Sequence, residues 1–208
     1  MAISRSTGNL LGGVSQQPES VRLDNMAEES INSFPDIAEN NCYSVSFWFK
    51  TSTSSNATVL IDAAQNGLFT ARTRFGYFQF ISHPTTRVIT TQQLQTTVAE
   101  VTDNVRDGKW HHVVFIANTQ AHDPTIQNDY VANVYLDGYR ATQINFGSPQ
   151  TLAGQVSSLR LNNTFVGEVS QPCFFNRLLT DGGVNQYELA GGEVAQLYNS
   201  GSPINPMT

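Results

Sequence analysis

The sequence predicts an all-β protein: a two-sheet antiparallel β-sandwich of jelly-roll type, with one short C-terminal helix and an extended N-terminal arm. Three observations predict it. Charged residues are only 13% of the 208 and hydrophobic ones 39%, a balance that suits sheets edged with Ser, Thr, Asn and Gln rather than a helical bundle. After residue 40, short apolar runs alternate with polar residues and recur between turn signals. Before residue 40, the hydrophobes Val14, Val21, Leu23, Met26, Ile31 and Phe34 keep no sustained period. The chain therefore divides into an arm over 1–40, a sandwich over 41–201 and a tail over 202–208.

In the arm, 27–32 reads as a helical turn or two, with Asp24 or Asn25 as its cap. Phe34-Pro35 ends it, because the residue before proline is pushed out of the α region. The first sandwich strand is 43–50. Val45, Phe47 and Phe49 face one side of it, and Ser44, Ser46, Trp48 and Lys50 the other. Strands follow at 59–61 and 68–74, then at 77–81 across Phe75-Gly76, with weaker candidates at 87–91 and 96–101. The runs 110–117 and 131–136 are strong. Asp137-Gly138 is a type I′ hairpin signal that returns the chain along 139–144. Segments 156–161 and 167–176 complete the sheets. Val194, Leu197 and Tyr198 then fall at helical spacing, and Gly201 stands where a C-cap calls for positive φ. The polar run 118–129 is a surface insertion.

The net charge of −6 is unevenly placed. Residues 1–40 carry Arg5 and Arg22 against Glu19, Asp24, Glu28, Glu29, Asp36 and Glu39. An acidic arm on a nearly neutral body repels phosphate backbones, so nucleic acid is excluded as a partner. No run approaches the roughly 20 apolar residues of a membrane span. Leu10-Leu11 is too short for the apolar core of an export signal. Cys42 and Cys173 read as two buried free thiols, or as a bridge if the first and last sandwich strands are neighbours.

Several motifs carry a resemblance. The strand 43–50, the run Asp107-Gly108-Lys109-Trp110-His111-His112-Val113-Val114, the hairpin Val134-Tyr135-Leu136-Asp137-Gly138, and the segments 175–179 and 193–201 resemble laminin-G-like domains of the concanavalin A-like lectin/glucanase fold, in that order. The resemblance implies the fold over 41–201 and leaves activity open, since the fold hosts lectins, glycanases, adhesion modules and spacers. Where relatives often bear an Asp-Glu pair, this chain has Val169-Ser170-Gln171.

The arm resembles a different family. Ile3-Ser4-Arg5-Ser6, the run from Asn9 to Pro18 (Asn-Leu-Leu-Gly-Gly-Val-Ser-Gln-Gln-Pro), Arg22-Leu23 and Asn32-Ser33-Phe34-Pro35 resemble the N-terminal end of the tail nozzle (tail tubular B) proteins of short-tailed phages. This implies a virion protein, made in the host cytoplasm and placed on the phage tail. Its expected partners are other tail proteins (adaptor, nozzle and fibre), in several symmetric copies. Asn9, Leu10, Gly12, Gly13, Val14, Gln16, Gln17, Pro18, Leu23 and Phe34 are the expected docking residues. Glycines permit close backbone approach, Pro18 fixes an extended turn, and the hydrophobes serve as anchors.

The body offers little chemistry. His111 and His112 are adjacent on a strand, so they point to opposite faces; one is expected packed and hydrogen-bonded and the other on the surface. His83 and His122 are isolated. Glycoside hydrolysis needs two carboxylates facing across a cleft, and Glu168, Glu188 and Glu193 show no such pattern, so no catalytic residue is expected. No cofactor is expected either; a calcium ion has no motif here, and loop acids near Asp62 and 118–129 are where one would be sought. Trp48, Tyr77, Tyr130 and Tyr139 are candidates for stacking on a sugar, against the reading that such rings fill the core or its rim. Two functions follow: a structural tail protein projecting its sandwich as a decoration or fibre attachment point, or a tail module that binds a host-surface polysaccharide.

Overall fold

The computed structural model describes residues 21–23, 29–32, 42–62, 69–82, 87–118, 131–145, 158–161, 165–175 and 177–201. Among them, β1 (Val21–Leu23), β2 (Glu29–Asn32), β3 (Cys42–Lys50), β4 (Ala57–Asp62), β5 (Phe69–Arg74), β6 (Tyr77–Ser82) and β7 (Arg87–Thr90) precede the helix α1 (Gln92–Thr97). Then come β8 (Trp110–Asn118), β9 (Val131–Leu136), β10 (Tyr139–Asn145), β11 (Ser158–Leu161) and β12 (Gly167–Phe175), and the helix α2 (Gly192–Tyr198). All pairings are antiparallel. Sheet I has the order β1-β12-β3-β8-β9-β10, and sheet II the order β2-β11-β4-β5-β6-β7.

The core between the sheets is aromatic. Phe47 and Phe49 of β3 and Phe115 of β8 meet Phe78 and Phe80 of β6. Phe80 and Phe115 stack across the gap with centroids 4.8 Å apart. Such pairs add about 0.5–1.5 kcal/mol each beyond the area they bury. Strict alternation in β5 and β6 sends Phe69, Ala71, Phe78 and Phe80 inward and their neighbours outward. Strand β3 is buried along both faces, because a second apolar cluster covers the outer side of sheet I.

Three expectations are corrected. Residues 29–32 form β2, not helical turns; pairing with β11 supplies backbone hydrogen bonds that so short a helix could not. Residues 92–97 form α1 where a strand was expected from 96 onward. Gln92, Gln93, Leu94 and Gln95 favour helix, and tertiary bonds fix it: Phe78 N donates to Thr91 Oγ1 (3.0 Å), Gln95 Nε2 donates to the Gly76 carbonyl (3.1 Å), and Leu94 enters the core. The left-handed cap of α2 is Asn199 (φ 46°) rather than Gly201, although Gly201 also has positive φ. The I′ hairpin is as expected, with Asp137 and Gly138 at φ 50° and 80°.

Strands β1 and β2 lie within the segment read as an arm. One edges sheet I and the other sheet II, so the chain touches both sheets before β3 begins. Cys42 and Cys173 are free thiols, and the β3–β12 register sets Cys173 opposite Ser46.

Candidate functional site

The tandem histidines act as internal fasteners. His111 leaves β8 between two carboxylates: Nδ1 lies 2.8 Å from Asp137 Oδ2 and Nε2 lies 3.0 Å from Asp107 Oδ1. Both nitrogens can donate only if the ring is an imidazolium. Burial works against that charge, but the hydrogen bonds and charges of Asp137 and Asp107 outweigh it and raise the His111 pKa. Asp137 Oδ1 also accepts from His112 N at 2.8 Å, so one side chain ties the β9–β10 turn to β8. With both ring nitrogens occupied, His111 has no lone pair for a metal. Among the described residues no group of three acidic, His or Cys side chains is placed to hold a metal ion.

His112 points the other way and is also buried, which corrects the expectation of a surface histidine. Its Nε2 pairs with Ser46 Oγ at 2.8 Å, and its ring lies against Trp48 with centroids 4.9 Å apart. Its Nδ1 has no partner among the described residues, and burial pushes its pKa down to about 3. Tyr198 of α2 stacks on Trp48 at 6.0 Å. Leu179, Ala190 and Val194 pack on Val114, Ile116 and Tyr135. Glu193 receives Arg177 Nη1 and Nη2 at 2.8 and 2.6 Å and holds this cover in place. The segment 177–198 thus closes the outer side of sheet I.

That cover removes one candidate. Trp48 is 1% exposed, so its ring is not available to a sugar. Tyr139 is half-buried and packs against the central core beside the β9–β10 turn. Tyr77 is partly exposed. Tyr130 lies outside the described residues, as do Asn9, Leu10, Gly12, Gly13, Val14, Gln16, Gln17, Pro18, Phe34, His83 and His122. Leu23 ends β1, opposite Gly167. Among the acids, Glu168 pairs with Lys50 Nζ at 2.9 Å, Glu188 accepts from Asn185 N at 2.9 Å, and Glu193 holds Arg177, so they serve three separate contacts.

Sheet II presents a different surface. The outward side chains of β5 and β6 include Thr70, Arg72, Arg74, Tyr77 and Gln79, and none of them is buried. The register sets Arg72 opposite Gln79 and Arg74 opposite Tyr77. Arg72 Nε donates to Gln79 Oε1 at 3.1 Å. The Arg74 guanidinium sits 5.0 Å from the centroid of the Phe75 ring, which is 68% exposed at the hairpin tip. Val88 of β7 is 45% exposed. The hairpin tip is held by Asn56, whose Oδ1 accepts Phe75 N at 3.0 Å and Arg106 Nη2 at 2.6 Å. Sequence reasoning passed over Arg72 and Arg74; the alternation of 69–74, which sends both to one face, was the available signal. Two hollows lie elsewhere, one of 470 Å³ along 95–103 and one of 140 Å³ between Ile116, Tyr135, Leu179 and Asp181.

This architecture of two sheets and a terminal helical cover has relatives. The family model of the concanavalin A-like lectin/glucanases superfamily matches residues 25–185. The chain belongs to that superfamily. A second model, that of the bacteriophage nozzle protein, matches residues 1–40. The two matches overlap over 25–40, where this superfamily member places β2. Among solved structures, the receptor binding domain of botulinum neurotoxin D is similar with a TM-score of 0.58 at 13% identity, covering 85% of this chain and 44% of that one. The botulinum neurotoxin serotype G binding domain is similar with a TM-score of 0.55 at 13% identity, covering 86% and 41%. The chain thus spans less than half the length of these domains, and the likeness is one of fold. No curated protein sequence matches it.

Proposed function

We propose that this lectin-fold chain is a phage tail protein, docked by its N-terminal segment and displaying its sandwich outward. The match of residues 1–40 to the nozzle family carries the reading. Adaptor and nozzle proteins are the expected docking partners, in several symmetric copies, with a fibre as a candidate for the displayed side. The pairing of β1 and β2 with the sheets supports a docking segment shorter than the 40 residues that match the nozzle family. Residues 21–23 and 29–32 are sheet strands, so the separable address we assign is 1–20, which contains the Gly12-Gly13 and Gln16-Gln17-Pro18 motifs. Deleting 1–20 is expected to leave a folded protein with an unchanged melting temperature that no longer joins particles assembled in the host. Full occupancy of the truncated protein in purified particles would overturn the docking claim.

A second reading has an observation of its own. One sheet face is covered by the C-terminal segment, while the Arg72, Arg74 and Tyr77 face of β5 and β6 carries no buried side chain. A host-surface glycan is the partner this favours. Glycan-array binding by the whole chain tests it, and silence across the array would remove it.

A further inference from the structure

We propose that the outward face of β5 and β6 binds an acidic polysaccharide, with Arg72 and Arg74 taking its anionic groups and Tyr77 and Phe75 lying against its sugar rings. The inference rests on the glycan-binding reading above and names the ligand class and the residues.

The charge pattern points to an anion. The chain carries a net charge of −6, yet the outward side chains of β5 and β6 include two cations and no acid. Arg72 and Arg74 are two residues apart on one strand, so their backbone positions are about 7 Å apart on the same face. Neither has a carboxylate partner among the described residues. Their repulsion is felt: burial first, and then the charge of Arg74, lower the pKa of Arg72. A bound anion relieves that repulsion.

Geometry supplies the rest. Gln79 holds Arg72 through Nε and leaves both terminal nitrogens to meet a carboxylate or sulfate in a forked pair. The Arg74 guanidinium is steadied over the Phe75 ring. Phe75 sits in the turn, 68% exposed, and Tyr77 follows it, partly exposed, which leaves ring surface beside both cations for the C–H side of a pyranose. Thr70 and Gln79 add hydroxyl and amide groups for sugar hydroxyls on the same face. A neutral glycan would use the aromatic and amide groups and leave both cations unpaired.

Affinity electrophoresis of the full chain tests this, in gels containing polygalacturonate, dextran sulfate or neutral dextran. Retardation by one or both acidic polymers and not by dextran is expected, weakening as salt screens the charges. Polygalacturonate against dextran sulfate separates carboxylate from sulfate ligands. Arg72→Gln with Arg74→Gln should weaken retention at least tenfold at an unchanged melting temperature, and Tyr77→Ala should weaken it severalfold. If the double variant melts early, Arg74→Gln alone decides, because its guanidinium makes no hydrogen bond among the described residues. Undiminished retention of the arginine variants overturns the proposal. Binding to dextran equal to that of the acidic polymers overturns the acidic assignment but leaves the glycan reading standing. Retention by none of the gels, with a silent glycan array, sinks both. Equal retention by duplex DNA overturns the sugar-specific part.

Discussion

At the scale of residues, His111 and His112 are neighbours with opposite responses to acid. The His111 pKa is raised by Asp137 and Asp107 against the cost of burial. Its contribution to stability is therefore full below the unfolded value near 6.5 and is lost as pH rises through the higher folded value. The His112 pKa is pushed down to about 3 by burial, so protonation favours the unfolded chain. Its contribution is full above 6.5 and is lost as pH falls toward 3. The melting temperature should fall as pH drops from 6.5 to 5. His112→Phe, which keeps a ring beside Trp48 and Tyr198, should flatten that limb while lowering stability by about 1 kcal/mol through the orphaned Ser46 hydroxyl. His111→Asn should instead remove the decline on the alkaline side of 6.5. Thermal melts at a series of pH values check both, and an unchanged acid limb in His112→Phe would contradict the assignment.

At the scale of elements, the cover over sheet I depends on close approach at the β9–β10 turn. Gly138 has φ +80°, and a Cβ there would lie 2.8 Å from Tyr198 Cδ1 and 3.0 Å from Leu189 Cδ1. Gly138→Ala is expected to cost about 1–3 kcal/mol, combining backbone strain with a displaced α2. Tyr198→Ala leaves the turn intact but removes the ring stacked on Trp48. It should make Trp48 fluorescence quenchable by acrylamide and lower stability by about 1–3 kcal/mol. Denaturant titration followed by tryptophan emission measures both; an unquenched Trp48 in Tyr198→Ala would show that α2 is not its shield.

At the scale of the whole molecule, the first 40 residues are not one thing. β1 and β2 pair with β12 and β11, so removing 1–38 bares an edge on each sheet, while removing 1–20 bares none of the described pairings. Bare edges invite strand addition by other chains. The 1–38 deletion should melt earlier and self-associate in light scattering, and the 1–20 deletion should match the intact protein. Identical, monomeric behaviour of the two truncations would restore the simpler boundary at residue 40. The outward side chains of β5 and β6 are partly exposed while the outer side of sheet I is covered, and the proposed glycan contact lies on the former.

The strands from β3 onward were legible because period-two alternation and the Asp137-Gly138 turn are local properties. Phe47, Phe49, Phe78 and Phe80 announce their faces within a few residues. Helix α1 was not legible, since a six-residue helix is stabilised by its bonds to β6 and not by its own pattern. Strand β2 was misread because an edge strand is made by its partner, here β11, far along the chain. The candidate site divides in the same way. Sequence names Trp48 and Tyr77 as candidates for stacking on a sugar but does not tell which of them a distant segment covers. Burial under α2 removes Trp48, whereas Tyr77, Arg72 and Arg74 stay partly exposed. The sequence by itself determined the sandwich, its strand faces and the likeness of its first 40 residues to the nozzle family. Only the tertiary structure decided which of the two outer faces is covered, because that depends on where the distant segment 177–198 comes to rest.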